Sequence, residues 1–146
     1  MFRFRLQQVL DLREKQERHL ASQLASALGA EKAARETLDG LRAERDAGAR
    51  GMSDGALRSV GELTTLAFVL QQMDGQITDA NDSVNAANES VSQVQQAFNA
   101  AFKDRRVLDR LRERHEETHR VTSEQTDRRT MDDIALSRFV HNDNGQ

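Results

Sequence analysis

Apolar residues return along this chain at alternating intervals of three and four. From Leu6 the series runs Leu10, Arg13, Glu17, Leu20, Leu24, Ala27, Glu31, Ala34, Leu38 and Leu41. Eight of its 11 positions are apolar, and Arg13, Glu17 and Glu31 interrupt it. A second series runs Leu63, Leu66, Leu70, Met73, Ile77, Ala80, Val84, Ala87, Val91, Val94, Phe98 and Ala101, with no polar entry. A sustained 3.5-residue period is the seam of a coiled coil, and keeping it over many turns requires a left-handed supercoil.

Between the two series lie Gly48, Gly51, Gly55 and Gly61, around Met52-Ser53-Asp54. Glycine costs about 1 kcal/mol relative to alanine inside a helix, so the cluster predicts a turn. The expected fold is all-α: one domain over residues 1–146, an antiparallel two-helix coiled-coil hairpin. A helix over about 3–47 leads to a glycine-rich bend at 48–55, then a helix over about 56–140, with Ser53 or Asp54 as its N-cap. Folding back near Asp54 places Leu6 opposite Phe102 and Arg45 opposite Leu63. Residues from 103 to about 140 then extend past the N-terminus as a helical overhang of up to about 55 Å. It carries Leu108, Leu111, Val121, Met131, Ile134 and Leu136, apolar positions that need a partner.

Composition agrees. The chain has no proline, the residue that breaks helices, and no Cys, Trp or Tyr. At 37% hydrophobic and 31% charged it is lean for a globular core and ordinary for a seam. No disulfide or thiolate metal site is possible. The opening residues lack the apolar core of a signal peptide, and no stretch approaches the roughly 20 apolar residues of a membrane span. A net charge of −3 argues against general nucleic-acid affinity. The expected setting is cytosolic. Charge is uneven: no Lys or Arg occurs between Arg58 and Lys103, and both concentrate near Arg3–Arg18 and Lys103–Arg120. That base reads as a solvated helix surface or as a docking surface for a charged partner.

One motif resembles an enzyme's. His115-Glu116-Glu117-Thr118-His119 matches the H-E-x-x-H of zinc hydrolases. Its neighbours Arg112, Glu113, Arg114 and Arg120 would keep such a site wet, and a two-helix rod has no core from which to present a third ligand. It reads as a coincidence of a Glu/Arg-rich helix, with His119 alternatively lying along the seam. No phosphate loop or nucleophile elbow occurs, and Asp132-Asp133 lacks a pocket to shift its acidity. No catalytic residue, metal or cofactor is expected. Phe68 and Val69 fall off the buried stripe, and Phe2, Phe4, Val9 and Leu12 broaden it near the start. Such residues either anchor a partner or widen the seam and cover the overhang.

The two ends together carry a family pattern. Phe2-Arg3-Phe4-Arg5-Leu6-Gln7-Gln8-Val9-Leu10-Asp11-Leu12-Arg13 resembles the opening of the flagellar export protein FliJ family. Arg128-Arg129-Thr130-Met131-Asp132-Asp133-Ile134-Ala135 is similar to that family's closing signature, with Met131 and Asp133 standing for Leu and Glu. The glycine-rich bend and the basic-free middle match no family signature. The resemblance implies a non-enzymatic, stalk-like part of the bacterial flagellar type III export apparatus. It implies three partners: the hexameric export ATPase, the membrane export gate and the export chaperones. By position, Phe4, Leu6, Leu10, Arg13, Asp132, Asp133 and Ile134 would meet the ATPase, and Phe68 and Val69 the gate. The implied location is peripheral, at the cytoplasmic face of the inner membrane. A generic coiled-coil scaffold and an injectisome counterpart are the alternatives.

Overall fold

The computed structural model describes residues 1–54 and 59–143. Two helices pack against each other as a hairpin: α1 (Gln7–Asp54, 48 residues) and the longer α2 (Val60–Asp143, 84 residues). Contacts divide the chain into two compact units. One joins Met1–Gln16 to Ala101–Gln146, and the other comprises Glu17–Ala100.

The 3,4 pattern dictates which residues face inward. In the Glu17–Ala100 unit every position of both series is buried or half-buried, including the interrupting Glu17 and Glu31. Leu38 and Val84 are its two buried apolar side chains. The α1 series continues beyond Leu41, through Arg45, Gly48 and Met52. The carboxylate of Glu31 lies in the seam and accepts from Arg35 at 2.6 Å, so that polar entry keeps a hydrogen-bonded partner.

The helix ends and the register differ from the sequence expectation. α1 runs through Gly48 and Gly51 to Asp54, and Gly55 lies outside the described residues. Gly48 marks a close approach instead of a turn: a Cβ there would sit 3.2 Å from Leu70 Cδ2. Ser53 lies inside α1, its hydroxyl donating to the Ala49 carbonyl at 3.4 Å. The cap of α2 is Ser59, whose Oγ accepts the Glu62 N–H at 3.2 Å. Ser59-Val60-Gly61-Glu62 thus has the spacing of a capping box.

Because α1 is longer than expected, every facing partner moves along α2. Arg45 donates to Asp74 at 2.9 Å, instead of lying opposite Leu63, and Arg35 donates to Asn88 at 3.3 Å. Asp74 forms the Arg45 pair within a stretch of α2 that has no cation of its own.

Two outcomes follow from this packing. Val84→Asp places a carboxylate at a position 8% exposed and is expected to cost about 3 kcal/mol or more, read as a lowered thermal midpoint by circular dichroism. A methyl group at Gly75 would meet nothing within 4 Å, so Gly75→Ala is expected to gain about 1 kcal/mol in urea unfolding. Gly48→Ala is expected to gain less, since its methyl must push Leu70 aside. Equal gains at both positions would contradict the close approach.

Candidate functional site

In the unit that joins the chain ends, residues 1–6 precede α1 as a non-helical strap. Its side chains alternate, with Phe2 half-buried and Phe4 buried, while Arg3 and Arg5 are exposed. Phe2 packs on the His119 ring at 5.7 Å between centroids, and Phe4 meets His115 edge-on at 5.8 Å. The two histidines of the H-E-x-x-H sequence therefore serve as a landing for two phenylalanines. Aromatic pairs in these geometries contribute about 0.5–1.5 kcal/mol beyond their burial. Among the described residues no group of three or more His, Asp or Glu is placed to hold a metal.

This unit also departs from the expected register. Leu6 is 38% exposed and lies one helical turn before the fully buried Leu10. Arg13 pairs with Asp104 at 3.4 Å. Farther along α2, Arg105 pairs with Asp109 and lies over the Phe102 ring at 5.5 Å. The strap reaches His119, so the part of α2 without a facing residue is shorter than the expected 103–140. Every residue from 120 to 142 is exposed. Along this arm, Thr118, Thr122, Thr126 and Thr130 each donate to the carbonyl four residues back, at 2.8–2.9 Å. Arg120 bridges Glu117 and Glu124, both at 2.7 Å. Met131, Ile134, Leu136, Phe139 and Val140 stand exposed beyond them.

The nine residues expected at partner contacts thus have different surroundings. Phe4 and Leu10 are interior, fastening the chain start to its own unit. Leu6, Arg13, Asp132, Asp133 and Ile134 are at least partly open to solvent. In the other unit, Phe68 is 59% and Val69 44% exposed. There Val69 and Leu66 line a shallow cavity of about 470 Å³ with Glu62 and Thr65. The strap–histidine contact was not read from the sequence. Its available signal was the spacing of two aromatics at 2 and 4 against two histidines at 115 and 119.

The model of the family described as Flagellar FliJ protein matches residues 1–144. The chain belongs to the FliJ family. No curated protein and no solved structure matches it. FliJ is a structural component of flagellar export and not an enzyme family, and the paired helices here are the coiled-coil hairpin of that component. Membership carries partners in the export apparatus. Among the described residues, no helix of this FliJ chain is long and apolar enough to cross a membrane.

The charges at the root of the arm are tuned by contact. The hydrogen bond from Arg120 holds Glu117 below the ordinary carboxylate value, against desolvation and with further help from the Arg120 charge. Glu117, by its hydrogen bond and then its charge, holds Arg120 above the ordinary guanidinium value, with Glu124 adding to the effect. A depressed carboxylate contributes stability above its unfolded pKa and loses it as pH falls through the lower folded value. The pair is solvent-exposed, so the contribution is small. In an NMR titration Glu117 is expected to protonate at lower pH than in the Arg120→Gln variant, where it returns toward the ordinary range. Identical midpoints would contradict the bridge.

Proposed function

We propose that this chain is a stalk-like component that binds the hexameric flagellar export ATPase and promotes its assembly and activity. In this reading it also links the ATPase to the membrane export gate and to export chaperones, at the cytoplasmic face of the inner membrane. The observation that carries the reading is the arm at 120–142. A long helix with no facing element and five large apolar side chains near its end supports insertion into a partner, since such a face gains free energy by leaving water. Leu6, Arg13, Asp132, Asp133 and Ile134 are its proposed ATPase contacts. Phe4 and Leu10 act there by holding the chain start in place. Phe68 and Val69, beside the cavity near the start of α2, are the proposed gate contact.

The test is ATP hydrolysis by the matching export ATPase, titrated with the full chain and with a version ending at Arg120. Stimulation by the full chain and its loss on truncation is the expected result. Equal stimulation by both would keep the partner and move the contact off the arm. No stimulation and no binding by the full chain would reject the reading and leave a coiled-coil scaffold.

A further inference from the structure

A cavity of about 520 Å³ lies at the strap, lined by Phe2, Arg3, Phe4, Arg5, Gln7 and Gln8 from one end of the chain and by Arg112 of α2. No acid lines it. None of the three arginines forms an ion pair or hydrogen bond among the described residues. The cavity also opens on the start of α1, whose first turn has no acidic residue. There the Gln7 N–H bonds the Phe4 carbonyl and the Leu10 N–H bonds the Leu6 carbonyl, while the Gln8 N–H has no such acceptor. Asp11, one turn on, is engaged by the Gln7 side-chain amide at 2.8 Å.

The strap explains how like charges are kept together. Phe2 and Phe4 are fixed on His119 and His115, so the alternating Arg3 and Arg5 are held on the open side. Three guanidiniums around one acid-free cavity repel one another, and a bound oxyanion offsets that cost. The planar fork of arginine matches the oxygens of a phosphate, and the positive end of a helix adds to the attraction. We propose that this cavity is an oxyanion site that takes a phosphate group, either free in solution or as the headgroup of an anionic lipid. The site lies beside Leu6, a proposed partner contact, but its test does not involve the ATPase.

The experiment uses the full chain. Titration calorimetry with inorganic phosphate and pyrophosphate is set against sodium chloride at equal ionic strength. Sedimentation with phosphatidylglycerol vesicles is set against phosphatidylcholine vesicles. Binding of a free phosphate, or of the anionic vesicles alone, supports the site, and the pattern tells the two sources apart. Arg112→Gln and the double change Arg3→Gln/Arg5→Gln are each expected to weaken binding about tenfold, the effect of losing a charged hydrogen bond. Arg138→Gln, on the arm, is expected to leave it unchanged. The two strap changes lie outside both helices, so helicity by circular dichroism stays as in the parent. Binding of neither phosphates nor anionic vesicles would overturn the proposal. So would affinity that is insensitive to Arg3, Arg5 and Arg112, or equally sensitive to Arg138.

Discussion

Burial along a single seam is the constraint on which everything else in this molecule depends. Among the described residues only Phe4, Leu10, Leu38 and Val84 are buried apolar side chains, and Leu10 is the one fully removed from water. A globular domain gathers its apolar surface in one place. Here each pair of facing turns contributes a little, so the stability is spread along the helices. The middle of α2 relies on this most. It is rich in Asn, Gln and Ser, which are mediocre helix formers, and it has no cation between Ser59 and Phe102. Its helicity is therefore a consequence of packing, and a charge at Val84 acts on the helix as much as on the contact.

The seam also governs how the chain ends are arranged. Where α1 begins, the six residues before it cross to α2 and fasten there by two aromatic–histidine contacts. This gives Phe4 an interior role in place of a displayed one. Beyond His119 nothing among the described residues faces α2, yet the helix continues to Asp143, with the Arg120 bridges to Glu117 and Glu124 as local pairs. Pairs of this kind support a helix locally without covering its apolar side. An arm that is formed and uncovered is what the proposed stalk-like role calls for.

Much of this was legible in the sequence, because a period of 3.5 is a strong constraint on which residues can face inward. The seam positions from Leu10 onward were readable residue by residue, polar interruptions included, while Leu6 stands exposed. The register was not. Glycine has two meanings in a helix, a weak point where a turn can form and a small residue where another side chain comes close. Gly48 has the second meaning, against Leu70, and reading it as the first shortened α1 and displaced each facing pair. The signal that corrects the start of α2 was Ser59 three residues before Glu62. The family could be read from the two chain ends. The covering of Phe4 could not, because it depends on the strap, and the strap depends on long-range contacts that no local pattern encodes.

The register itself is the most direct test, since it determines where the uncovered arm begins. The chain contains no cysteine, so pairs can be introduced without background. Arg45→Cys with Asp74→Cys and Arg45→Cys with Leu63→Cys would each be treated with a short bismaleimide. The two α2 positions lie about 16 Å apart along the helix. Rapid cross-linking within one molecule is expected for the 45–74 pair and little for the 45–63 pair. The reverse result would contradict this register, returning the fold-back to Asp54 and the start of the overhang to residue 103.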